Sequence, residues 1–143
     1  MNVARILKDK GRSVVTASPE HNLRKIVETL AGERIGALVV CDGDRQVKGI
    51  ISERDVVRML AAHGAAALDQ PVSLYMTKEV RTCKESDTVG WLMEEMTTHR
   101  FRHMPVCDAG RLIGIVSIGD VVKQRIAAAE LEAASMREYI TTG

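Results

Sequence analysis

Aromatic side chains make up only 3% of the 143 residues: one Trp, two Tyr and one Phe. That is too few for the stacking platform on which single-stranded nucleic acids lie. A surplus of one charge sign is missing as well, because 20 basic side chains face 19 acidic ones for a net charge of +1. The chain therefore lacks the basic footprint that DNA, RNA or an anionic membrane requires. No apolar run approaches the roughly 18 to 20 residues of a membrane span. The opening Met1–Gly11 carries Arg5, Lys8, Asp9 and Lys10 among few apolar residues, unlike a secretory leader. Cysteine is scarce and odd in number: Cys41, Cys83 and Cys107 form no Cys-x-x-Cys pair, which fits reduced thiols, and the expected setting is the cytoplasm. Neither Gly-x-x-x-x-Gly-Lys-[Ser/Thr] nor Gly-x-Gly-x-x-Gly occurs. Gly114-Ile-Val-Ser117-Ile-Gly119 fails as a nucleophile elbow, since Ile115 stands where Gly-x-Ser-x-Gly needs glycine.

What the chain does contain is a duplication. Val14-Val-Thr16-Ala-Ser-Pro-Glu-His-Asn-Leu23 falls on Val80-Arg-Thr82-Cys-Lys-Glu-Ser-Asp-Thr-Val89, 66 residues on. The stripe Leu23, Ile26, Val27, Leu30 falls on Val89, Leu92, Met93, Met96, and Val39-Val-Cys-Asp42 on Pro105-Val-Cys-Asp108, still 66 apart. After one extra residue in the first turn, Gly49-Ile-Ile-Ser52-Glu-Arg-Asp55-Val-Val falls on Gly114-Ile-Val-Ser117-Ile-Gly-Asp120-Val-Val at a spacing of 65.

Each copy reads as β-α-β-β-α. A short strand (Val14–Thr16; Val80–Thr82) precedes an amphipathic helix with apolar residues at i, i+3, i+4 and i+7. Strands Ala37–Cys41 and Val47–Ser52, then His103–Cys107 and Leu112–Ser117, are joined by hairpin turns at Asp42-Gly43-Asp44 and Asp108-Ala109-Gly110. A second helix runs from about Arg54 to His63, stopped by Gly64, and from about Gly119 in the second copy. The fold class is α+β. Residues 1–13 are expected as a lead-in, 14–63 as the first repeat, 64–79 as linker, 80–127 as the second repeat and 128–143 as a C-terminal helix and tail. A unit of roughly 50 residues cannot cover its own sheet, so the two should pack face to face about a pseudo-twofold axis. On the last segment, Val122, Ile126, Ala129 and Ala133 share a face, giving either a docked tail or a partner-binding helix.

The openings Val-x-Thr16 and Val-x-Thr82, the closing Gly-φ-φ-Ser-x-x-Asp (φ apolar) and His99-Arg-Phe-Arg-His-Met-Pro-Val106 resemble a tandem pair of CBS domains, the cystathionine β-synthase motif, over residues 3–127. The chain is similar to small stand-alone bacterial CBS-pair proteins, some named after inosine monophosphate dehydrogenase, whose catalytic barrel has no room here. The resemblance implies a regulatory module, commonly a homodimer, that holds AMP, ADP, ATP, NAD(H) or S-adenosylmethionine in clefts between the copies. Carried over by position, one cleft combines Ser117 and Asp120 with Val15, Thr16, Ile35, Gly36 and Ala37. The other combines Ser52, Arg54 and Asp55 with Arg81, Thr82, Arg102, His103 and Met104. In each, Asp takes the ribose, Ser and nearby cations take phosphate, and Thr with the apolar residues holds adenine. Arg102 and His103 stand where the first copy has Gly36 and Ala37, so the Asp55 cleft is expected to prefer charged nucleotides. The Asp120 cleft is expected to accept weakly charged adenosine ligands unless Arg12, Arg34 or a second subunit lends charge.

The same Ser-x-x-Asp strings also match a plain capping box, in which Ser accepts from a backbone amide and the acid bonds back. Both roles fit one site, because a helix N-terminus presents free amides and favours phosphate, and a nearby carboxylate can accept from a ribose diol. Duplication of the whole package, the glycine included, favours the ligand. His99, His103 and Cys107 make a poor metal set, since Pro105 breaks helical spacing and the first copy offers no fourth ligand; no metal is expected. Met93 and Met96 read as core, and Cys41 and Cys107 as small buried hydrophobes. Two rivals remain: a constitutive dimerisation scaffold with empty clefts, and a hydrolase acting on nucleotides. The regulated partner protein is not identified by the sequence.

Overall fold

The computed structural model describes residues 1–142. Helix α1 (Val3–Lys10) is followed by β1 (Thr16–Ala17), α2 (Leu23–Glu33), β2 (Ala37–Cys41), β3 (Val47–Ser52) and α3 (Glu53–His63). Two 3₁₀ turns, Ala65–Asp69 and Val72–Leu74, lead to α4 (Val89–His99), β4 (His103–Asp108), β5 (Arg111–Ser117) and α5 (Ile118–Thr142). The duplication is visible bond by bond. Asn22 and Thr88, 66 residues apart, cap α2 and α4 by accepting from Lys25 N and Trp91 N. The Glu53 and Ile118 amides donate to Gly36 O and Arg102 O.

The first sheet has the order β1-β2-β3, with β1 parallel and β3 antiparallel to β2; the second is the β4-β5 hairpin. The strand expected at Val80–Thr82 is absent: one parallel bridge, Cys83 to Val106, stands where β1 stands in the first copy. Cys83 N donates to Pro105 O and Cys107 N to Cys83 O. The next rung would need an amide at position 105, and proline has none. The hairpin turns also differ. Asp42 Oδ1 accepts from Asp44 N and Gln46 N, with Arg45 at φ 61°. Ala109 and Gly110, both at positive φ, make a two-residue turn of the kind whose twist suits a hairpin.

The lead-in segments are ordered, and they cross over. Val3, Ile6 and Leu7 of α1 belong to the core of the second repeat, with Leu92, Met96, Met104 and Val116. Ala67 and Val72, from the linker, belong to the core of the first repeat, with Leu23, Ile26, Leu38 and Ile51. Val3 N donates to Asp87 O and Val72 N to His21 O, so each lead-in pairs with a loop of the opposite copy. A third cluster, Val39, Cys41 and Leu112 with Val14, Val47 and Ile115, closes the seam between the hairpins. Met96 is buried and Met93 packs against the same core. Cys41 and Cys83 are buried, Cys107 is half-buried and all three are free; burial pushes the Cys83 thiol up to about 12.

Candidate functional site

Each hairpin ends at a helix start carrying the repeated Ser-x-x-Asp. Ser52 N and Ser52 Oγ both donate to Asp55 Oδ2, at 2.9 and 3.0 Å, and Asp55 N donates to Ser52 Oγ at 3.2 Å. Ser117 and Asp120 reproduce those three distances. Both strings are therefore capping boxes. A carboxylate offers about four acceptor positions, and each cap uses only Oδ2. The cap leaves Oδ1 unused, so capping and ligand binding do not exclude each other.

The preceding glycines answer to packing instead of to a ligand. A Cβ on Gly49 would lie 2.4 Å from Met76 Sδ, and one on Gly114 would lie 2.7 Å from Leu7 Cδ2. The crossed lead-ins seat on those glycines, which removes them from the case for a binding motif.

Asp55 opens onto a cavity of about 370 Å³ between the copies, within the ~300–1,000 Å³ usual for small-molecule sites. Of the residues expected with it, Ser52, Arg54, Arg81, Arg102 and His103 line the cavity. Two do not. Thr82 is exposed outside it, and Met104 is fully buried in the core of the second repeat, so its side chain is out of reach. Gly36 and Ala37, expected in the other cleft, line this one: the His103 ring lies 3.4 Å from where a Gly36 Cβ would be, so both strand starts face one space.

Arg58, Arg100, Phe101, Glu53 and Glu79 line the same wall. Arg58 was open to discovery, since it follows Arg54 by one helical turn; Arg100, at the left-handed end of α4 (φ 58°), was not. Five arginines thus face three carboxylates. Arg81 is 3.4 Å from Glu95, which also holds His99 at 3.1 Å. Arg54, Arg58, Arg100 and Arg102 have no ion-pair partner among the described residues.

The Asp120 groove differs. Lys10, at the end of α1, donates to Asp120 Oδ2 at 2.7 Å and to Ile115 O at 3.0 Å. Burial would raise the Asp120 pKa, but the hydrogen bonds from Lys10 and Ser117 outweigh it and hold the carboxyl below its ordinary range. The charge expected from Arg12 or Arg34 comes from Lys10: Arg12 pairs with Glu85, and Arg34 ends α2 at φ 55°. Val15 and Ile35 pack on the core of the first repeat, and Thr16 is exposed.

His103 lines the Asp55 cavity and lies near the charges of Lys10 and Asp120 as well. Burial, with the Lys10 and Arg102 charges and against those of Glu53 and Asp120, holds its imidazole below the ordinary 6.5. As pH falls the unfolded chain takes up this proton first, so stability rises with pH across the window below about 6.5. His103→Gln is expected to flatten that slope. Urea unfolding of both proteins between about pH 7.5 and pH 5.5 checks it, and equal slopes would refute the burial effect.

Among the described residues no helix is long and apolar enough to cross a membrane. The family model for the CBS domain matches residues 5–62 and 72–126. A CBS-domain containing protein from Agrobacterium tumefaciens has the same fold with a TM-score of 0.84 and 50% identity, over 87% of this chain and 99% of that one. A CBS domain protein from Pyrobaculum aerophilum, solved complexed with AMP, gives a TM-score of 0.79 and 27% identity over 93% and 99%. A mitochondrial CBS domain-containing protein of Arabidopsis thaliana is 32% identical over 149 aligned residues, 99% of this chain and 72% of the relative. Across eight curated relatives the chain spans between 22% and 76% of their length. The low figure is that of three inosine-5'-monophosphate dehydrogenases, of which it matches only this part.

Proposed function

Because the chain belongs to the CBS-domain family and carries two copies of the domain, we propose that it is a regulatory module, not an enzyme, that binds one adenosine nucleotide per chain in the Asp55 cavity. The observation that carries this reading is the pairing of an unspent carboxylate oxygen with four unpaired guanidinium groups in one cavity of about 370 Å³. Asp55 Oδ1 accepts from the ribose diol. The Arg54 amide, the one first-turn amide of α3 not spent on the cap or on Gly36 O, takes phosphate together with the Arg54 and Arg58 guanidinium groups, where the helix dipole adds to their charge. Phe101, Ile50 and Val80 supply apolar surface to the base. The Pyrobaculum relative complexed with AMP supports the choice of nucleotide. We assign no nucleotide to the Asp120 side, which does not line this cavity and where Lys10 neutralises the carboxylate through Oδ2.

A ligand in this position touches the start of α3 in one copy and residues 100–103 of the other, so it favours the arrangement that presents both. Coupling of about 1–3 kcal/mol changes a partner protein's affinity roughly 5- to 150-fold. The long α5, which starts beside the His103 wall, is the element placed to carry that change.

Calorimetric titration with AMP, ADP, ATP, NAD(H) and S-adenosylmethionine tests the reading. Expected are one site per chain, affinity rising with phosphate count, S-adenosylmethionine weakest, and a thermal shift of about 5–10 °C at a hundredfold excess over Kd. Silence across the whole panel would leave the scaffold reading, and turnover of any ligand would make the protein a hydrolase.

A further inference from the structure

Six of the ten large hydrophobic side chains exposed among the described residues lie on α5: Val122, Ile126, Leu131, Met136, Tyr139 and Ile140. The helix is anchored at its start, where Val121 is fully buried and Gln124 donates to Asp9 Oδ2 at 3.0 Å. Beyond Ala128 every residue from 129 to 141 is exposed, a rod about 20 Å long standing clear of both cores. A helix of that length is marginal in water without a partner.

We propose that this rod pairs with the same segment of a second copy of the chain as a short two-helix coiled coil. Val122, Ile126, Ala129, Ala133, Met136 and Ile140 follow each other at alternating steps of four and three, the seam spacing of such a pair. Arg125 and Glu132 flank the seam on one side, Glu130 and Arg137 on the other. None of the four has an ion-pair partner in its own chain among the described residues.

The charge pattern selects the occupant. In a parallel pair Arg125 meets the second copy's Glu130, and Glu132 meets its Arg137. In the antiparallel pair that sets Ala129 against Ala133, Arg125 meets Glu132 and Glu130 meets Arg137. Every contact among these four side chains is between opposite charges in both orientations. A face shaped for a different protein has no reason to complement itself, whereas an isologous contact requires it. The inference does not depend on nucleotide binding.

Disulfide trapping tests it, because the native thiols are buried or half-buried. Under mild oxidation Ala129→Cys is expected to cross-link with itself in the parallel pair. An equimolar mixture of Ala129→Cys and Ala133→Cys is expected to cross-link in the antiparallel one. Leu131→Cys, turned away from the seam, should do neither. Adding Glu132→Arg should cut the cross-linking about tenfold, two attractive contacts becoming repulsive by symmetry. Arg137→Glu restores it in the parallel case and Arg125→Glu in the antiparallel case. Equal cross-linking at position 131, none at any position, or indifference to Glu132→Arg would overturn the proposal. All these positions are exposed beyond the core, so the variants keep the fold.

Discussion

Replacing Asp55 with asparagine is expected to weaken AMP binding about a hundredfold while costing the fold little. The carboxylate spends Oδ2 on the cap of α3 and, in the proposed complex, Oδ1 on two ribose hydroxyls. Asparagine keeps one oxygen for the cap but puts an amide nitrogen, which cannot accept, in the other place. Hydrogen bonds to a charged group contribute about 1.5–3 kcal/mol each, and losing them amounts to about two decades of affinity. Adenosine should lose as much as AMP in this variant, since the sugar is what Asp55 holds. Arg54→Ala with Arg58→Ala should weaken AMP and spare adenosine. Asp120→Asn should leave AMP binding within about threefold, because that carboxylate does not line the Asp55 cavity. Calorimetry on the three proteins separates the roles, and equal losses of AMP at positions 55 and 120 would show that two equivalent grooves bind.

How much of this was readable in the chain follows from which contacts keep a fixed spacing. Helices, hairpins and caps repeat at 66 or 65 residues because they are set by local patterns present in both copies. The change of spacing falls where the Asp42–Gln46 turn is replaced by the tighter Ala109-Gly110 turn. The crossed lead-ins escape this logic. Leu7 and Met76 play matching parts against Gly114 and Gly49, yet they are unlike side chains, one in a helix and one after a 3₁₀ turn, at a different spacing from the rest. Lys10 lies 110 residues from Asp120, and nothing local joins them. The lost strand at Val80–Thr82 was legible in retrospect, from Pro105 standing where the first copy has Val39. The mixing of Gly36 and Ala37 into the Asp55 cavity was not, because position in a repeat says which strand a residue begins and not which side of the pseudo-axis its cavity opens on.

A single methyl group at position 114 is expected to destabilise the protein by about 1–2 kcal/mol. Overpacking a filled site costs about 1–3 kcal/mol, and the gain from stiffening the unfolded chain is at most about 1 kcal/mol. At Gly114 the new Cβ would sit 2.7 and 3.0 Å from the two terminal carbons of Leu7. Leu7 is 1% exposed and locked in the core of the second repeat, so the relief must come from moving α1. At Gly49 the new Cβ would meet the flexible, half-buried Met76 side chain, which can turn aside, but also the Thr77 carbonyl oxygen at 3.0 Å, which is held by Ile50 N and cannot, so that change is expected to cost about as much. Leu7→Ala alone should cost about 2–5 kcal/mol, but combined with Gly114→Ala it should cost less than the sum, by about 1–2 kcal/mol, because the clash disappears. Denaturant unfolding of the four proteins measures this coupling, and strictly additive losses would mean that α1 does not rest on Gly114. Because α1 ends in Lys10, the Gly114→Ala protein should also release Asp120 from its ion pair. Its carboxyl pKa then rises toward the ordinary range, and the stability that the depressed pKa supplies above the unfolded value is lost at a higher pH as acid is added.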